Sequence, residues 1–134
     1  MTIHQYQRKD QENHILFPEL SYKIMEIAFE IHNQLGPGFT EDIYEHAFQY
    51  ELDCRKISYK KQQPIQIIYK GVELGSYRLD LLIENMVIVE IKAVAALIPL
   101  HKQQILSYLK ATGCRLGILI NFGSSKVEAQ RIAN

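Results

Sequence analysis

The chain has 134 residues, and its 15 Lys and Arg balance 15 Asp and Glu to a formal net charge of +0. At 47% hydrophobic and 22% charged residues, it has the make-up of an ordinary folded domain, not of a disordered, collagen-like or disulfide-scaffold chain. Its neutrality excludes a polycation that coats nucleic acid or anionic lipid without a local site.

Residues 1–17 are polar and mixed in charge, carry no apolar segment of the kind a secretion signal needs, and are read as a flexible N-terminal arm to a single domain over residues 18–134. Leu20, Ile24, Ile27, Ala28, Ile31 and Leu35 form one stripe at helical spacing, which Gly36-Pro37-Gly38 ends. Thr40 is the expected N-cap of a second helix over Glu41 to Lys56, with Ile43, Ala47, Phe48 and Leu52 turned inward and two acids in the first turn. Ile65 to Tyr69, a Lys70-Gly71 turn, Val72 to Ile83 and Met86 to Ala93 read as a meander of strands. Pro99 opens a third helix that Thr112-Gly113 closes; Leu116 to Ile120 is a strong strand, and Ser124-Ser125 is placed to cap a short C-terminal helix. The order α-α-β-β-β-α-β-(α) predicts an α/β (α+β) fold, a central mixed β-sheet flanked by helices. No apolar run approaches the ~20 residues of a membrane span. Cys54 and Cys114 lack metal-knuckle spacing, so reduced, semi-buried thiols in a cytoplasmic protein are expected.

Chemistry concentrates in the second and third strands, where Asp80, Glu90 and Lys92 interrupt runs of Leu, Ile and Val. Glu90 and Lys92 share one strand face, because side chains alternate. If Glu84-Asn85-Met86 is a three-residue loop, Ile83 pairs Val87 and Asp80 falls opposite Glu90; a two-residue loop puts the carboxylates on opposite faces. Two carboxylates in a half-buried site are costly without a cation, and hard oxygen donors suit Mg²⁺ or Mn²⁺. The plainer alternative is a salt-bridged surface face.

Asp80 with Glu90-Ile91-Lys92 resembles the signature of the PD-(D/E)xK nuclease superfamily, with Leu79 where the superfamily's name has Pro. Gly38-Phe39-Thr40-Glu41-Asp42-Ile43-Tyr44 is similar to the motif of its GxxExxY family, and Gln104 with Tyr108 to the QxxxY motif of RecB-type nucleases. Leu116 to Gly123 resembles the family's last core strand, and the likeness runs from about Leu20 to Ile132. The resemblance implies a restriction-endonuclease-like core and a metal-dependent nuclease acting on DNA or structured nucleic acid. It makes Asp80 and Glu90 metal ligands, Glu41 a third acidic group at the metal, and Lys92 the group that orients or activates the attacking water. Beside two carboxylates, that ammonium suits electrostatic and orienting work better than general-base work.

Gln104 and Tyr108 are i and i+4 on one helix face, where both could bond a phosphate or hold Lys92; Tyr108 reads equally as an aromatic packed on the sheet. His101 is more simply a solvated helix-start residue, while for Tyr44 helix-to-sheet packing and a site role weigh alike. Arg55, Lys56, Lys60 and Lys61 are a solvated surface or a strip contacting nucleic acid, with Lys60 and Lys61 its binding residues. A homodimer is expected, since so small a nuclease reaches both strands with a second copy. The competing function is a noncatalytic nucleic-acid-binding or protein-interaction module that retains the fold.

Overall fold

The computed structural model describes residues 17–134; apart from Phe17, the N-terminal arm assigned to residues 1–17 lies outside the described residues. Helix α1 spans Pro18–Leu35, with Pro at its start, where the missing N–H costs nothing, and Ile24, Met25, Ile27, Ala28 and Ile31 buried along the expected stripe. It stops where Gly36 turns left-handed at φ 66 and donates its N–H to the His32 carbonyl. Helix α2 spans Glu41–Cys54, ending before the expected Lys56. Thr40 holds the N-cap position, but its hydroxyl donates to the Asp42 carboxylate and caps no backbone amide. The inward face of α2 is Tyr44, Phe48 and Leu52; Ile43, expected inside, is 40% exposed, because α2 docks through the Tyr44 side.

Strand β1 covers Tyr59–Tyr69 and β2 Val72–Ile83, joined by Lys70 and Gly71 at φ 50 and 78, the doubly left-handed geometry of a tight hairpin. Polar Lys60 to Gln63 and Pro64 hid the first half of β1 from the sequence reading. The strand lies at the sheet edge, where a proline is tolerated and the outer side is wet. Strand β3 is Val87–Lys92, and the three-residue loop before it pairs Ile83 with Val87 as the longer alternative required. Glu84 and Asn85 both adopt positive φ in that loop, and the Glu84 carboxylate accepts bonds from the Ser58 amide and hydroxyl at 3.2 and 3.1 Å, tying the turn to the start of β1.

Helix α3, Pro99–Thr112, crosses over to β4, Leu116–Asn121, which runs parallel to β3 from Val87↔Leu116 to Lys92↔Asn121. His101 Nδ1 accepts the Ile98 amide at 3.2 Å and so steadies the start of α3. Past β4 the expected short C-terminal helix is replaced by a strand, β5, Glu128–Ala133, antiparallel to β4. Every residue of β4 is buried, so its outer backbone edge needs a partner, and the returning chain supplies one. Ser124, expected to cap a helix, instead donates its hydroxyl to the Lys126 carbonyl in the connecting turn.

The sheet order is β1-β2-β3-β4-β5. One face packs against α1 and α2 through Leu81, Ile83, Val87, Val89, Ile91, Ile118 and Ile120. The other packs against α3 through Ile65, Leu79, Ile88, Leu119 and Ile132 around Ile105, Tyr108 and Leu109. A Cβ on Gly117 would lie 2.4 Å from Ile105 Cγ2, so that glycine sets how closely α3 approaches. Cys54 and Cys114 are free thiols, Cys54 exposed rather than semi-buried.

Candidate active site

The site is built where β2 and β3 part. Their ladder runs from Ile83↔Val87 to Leu81↔Val89 and goes no further. One residue on, Asp80 donates its backbone N–H to Glu90 Oε1 at 3.1 Å, and Ile91 donates its N–H to Asp80 Oδ2 at 2.8 Å. The two carboxyl groups have thus taken the amides a continued ladder would have used, and they sit in the fork between the strands. At the same level of β1 the register passes unshifted from Lys61↔Leu81 to Gln63↔Leu79, and Gln62 between them is at φ 48, a left-handed conformation costly for a side-chain-bearing residue. On β2, Leu79 lies in the α3-side core while Leu81 lies in the α1/α2-side core, so the strand changes the face it presents at Asp80.

Glu90 is only 6% exposed. Burial, followed by the negative charge of Asp80, pushes its carboxyl up to about 9, and the Lys92 ammonium opposes that rise. Asp80 and Lys92 are half-buried. Tyr108 projects from α3 toward the fork, and its hydroxyl is raised above the usual phenol range by burial first and then by the charge of Glu90. From the opposite helix layer, Glu45 of α2 feels the charge of Asp80. Its carboxyl is raised chiefly by burial, against the bond it accepts from Gln62 Nε2 at 2.7 Å.

The structure therefore brings Asp80, Glu90, Lys92 and Tyr108 together. Gln104, one turn before Tyr108 on α3, is half-buried, and its side chain makes no hydrogen bond to the carboxyl pair. Glu41 is exposed in the first turn of α2, and among the described residues no group of three His, Cys, Asp or Glu side chains is disposed to hold one ion. Glu45, one turn further along α2, is an acid of that helix that feels the charge of Asp80. Its i+4 relation to Glu41 was the available signal, because such residues share a helix face. Lys60 and Lys61 are exposed on β1, across from Leu82 and Leu81 next to the fork.

Behind the fork, wholly buried Asn121 holds the chain that leaves β3. Its Oδ1 accepts the amides of Val94 and Gly123 at 2.9 and 3.0 Å, and its Nδ2 donates to the Val94 carbonyl at 2.9 Å. Phe122 N–H continues the clamp onto the Lys92 carbonyl at 2.9 Å. A Cβ on Gly123 would stand 2.3 Å from the Val94 carbonyl oxygen, so only glycine fits. The Phe122 ring stacks on Tyr44 at 4.6 Å, while Tyr44 donates its hydroxyl to the Gly36 carbonyl at 2.6 Å and accepts the Phe39 amide at 3.2 Å. Tyr44 is thus a packing residue that fastens the Gly36–Thr40 loop to the end of β4. A polar Asn closing an otherwise apolar strand was the sequence signal for Asn121.

A mixed sheet between helix layers, carrying acidic side chains where two strands part, defines a restriction-endonuclease-like domain. The profile of the PD-(D/E)XK nuclease superfamily matches residues 18–132, and the chain belongs to that superfamily. The solved chain described as "Crystal structure of SSO0001" superposes with a TM-score of 0.53 at 22% identity, over 70% of this chain, a likeness of fold. This chain spans 50% of the length of that one. No curated protein matches the sequence. Among the described residues no helix is long and apolar enough to cross a membrane.

Proposed function

We propose that this protein is a divalent-metal-dependent nuclease that hydrolyses phosphodiester bonds in DNA or structured nucleic acid. The observation that carries the reading is the meeting of the Asp80 and Glu90 carboxyls in the strand fork, with the Lys92 ammonium acting on Glu90. Nucleases of this superfamily typically use divalent metals. The donor set here fits one: two converging hard-oxygen donors, one of them buried, match the one or two protein carboxylates with which Mg²⁺ is usually held. Asp80 and Glu90 would hold the ion; when bound, it polarises a phosphoryl oxygen and acidifies water.

The remaining work falls to the chain's own groups. Asp80 and Glu90 are kept in register by the Ile91 and Asp80 amides, so the pair is preorganised. Lys92, half-buried on the Glu90 face of β3, offsets negative charge that develops on the phosphoryl group and orients the attacking water. Tyr108 and Gln104 on α3 are proposed to bond phosphate oxygens, and Lys60 and Lys61 the flanking backbone. Gly38, Glu41 and Tyr44 support a closer tie to the GxxExxY family.

Incubation with single-stranded, duplex and branched DNA in Mg²⁺ or Mn²⁺ tests the reading. Wild-type protein is expected to cleave at least one substrate, with Asp80→Ala and Lys92→Ala slower by about a hundredfold or more. Absence of cleavage on every substrate would sink it, and metal-free binding that survives Glu90→Gln would favour the noncatalytic module. We also propose a homodimer, supported by uncovered Ile68, Val72 and Leu74 on the β1–β2 hairpin. Sedimentation of a single monomeric species at high concentration would reject it.

A further inference from the structure

Tyr77 lies three residues before Asp80 on β2, directly across from Ile65 of β1. Ile65 belongs to the α3-side core, so Tyr77 stands on the sheet face that carries Tyr108. Its ring centroid is 5.8 Å from that of Tyr108 with the planes tilted by 48°, while Tyr108 leads back to Glu90 and Asp80. An aromatic that served only to complete the core would be covered, yet Tyr77 is 56% exposed. Leaning on Tyr108 at a tilt, it leaves ring surface open three residues along β2 from Asp80.

The chain's charge sharpens the point. A neutral protein gains little from the phosphate contacts that dominate nucleic-acid affinity, and stacking is the other general source of it. A ring that stacks on a base needs the base's π-face, which an intact duplex covers with the neighbouring pairs and an unpaired nucleotide offers freely.

We propose that Tyr77 is a stacking platform for an unpaired nucleobase next to the Asp80–Glu90 pair, and that the site accordingly takes single-stranded or frayed nucleic acid in preference to intact duplex. The proposal rests on the nuclease reading above and adds the substrate class to it. Tyr77 reads the form of the substrate and Tyr108 supports the ring from behind.

The test is the fluorescence anisotropy of labelled oligo-dT and of a blunt, closed DNA hairpin, in Ca²⁺ so that substrate stays intact. Wild type is expected to hold oligo-dT more tightly than the hairpin. Tyr77→Leu, which keeps apolar cover over Tyr108 but has no π-face, should weaken oligo-dT binding roughly tenfold and leave the hairpin unchanged, whereas Tyr77→Phe stays within about twofold of wild type. Unchanged oligo-dT binding in Tyr77→Leu, or equal losses on both probes, would overturn the proposal. Wild type that cleaves duplex without holding single strands overturns the stacking role alone. Protein that neither binds nor cleaves any nucleic acid removes the nuclease reading and this one with it.

Discussion

At the scale of single residues, Glu90 carries the largest pH response expected of the site. Its carboxyl stands at about 9 in the folded chain against an ordinary value of 4.5. Below the lower value both folded and unfolded chains hold the proton. Between the two values the unfolded chain ionises and the folded one does not. Stability from this group is therefore complete in acid and is lost as pH rises toward the folded value, by an amount on the order of a few kcal/mol at neutral pH. Thermal unfolding in a chelator should show the melting temperature falling from about pH 5 to about pH 9, and Glu90→Gln should flatten the profile and melt higher at alkaline pH. An equal slope in the variant would mean that another group governs the dependence. Because a metal must displace the Glu90 proton, stabilisation by added Mg²⁺ is expected to grow over the same rise in pH, and differential scanning fluorimetry at two pH values checks it.

At the scale of elements, the fork depends on what lies behind it. Asn121, Phe122 and Gly123 pin the backbone of Lys92 and Val94, so Gly123→Ala must move the segment that follows Lys92. Overpacking of this kind costs about 1–3 kcal/mol, and the expected result is a lower melting temperature together with slower cleavage. Tyr44→Phe keeps the stack on Phe122 but deletes the hydroxyl that joins Gly36 to Phe39. A loss of about 1 kcal/mol in denaturant unfolding is expected, with cleavage by the folded variant close to wild type, since Tyr44 does not touch the carboxyl pair. Much of this scale was legible beforehand. The stripe of α1, the Lys70-Gly71 hairpin and the full extent of β2 follow from local periodicity and turn chemistry. β5 was not legible, because Glu128 to Ala133 has little strand character of its own and is held by the unpaired edge of β4.

At the scale of the molecule, two helix layers clasp one sheet, and the site opens where β2 leaves β3 between Glu45 of one layer and Tyr108 of the other. With no net charge, binding should depend on few phosphate contacts. The affinity for oligo-dT is expected to fall with salt at a slope of about one to three on logarithmic axes, and Lys60→Ala with Lys61→Ala to make it shallower by about one; an unchanged slope would leave those lysines as ordinary surface. Residue types and their order announced an acidic pair, a lysine and a mixed sheet flanked by helices, because motif spacing and hydrophobic period are properties of neighbouring positions, and the resemblance to the superfamily implied the nuclease-like core. Which carboxyls meet was settled elsewhere. Strand register set Asp80 against Glu90, and the docking of α2 left Glu41 at the surface while bringing Glu45 within reach of Asp80's charge. Those outcomes depend on contacts between segments far apart in the chain, whose free energies no local window of residues contains.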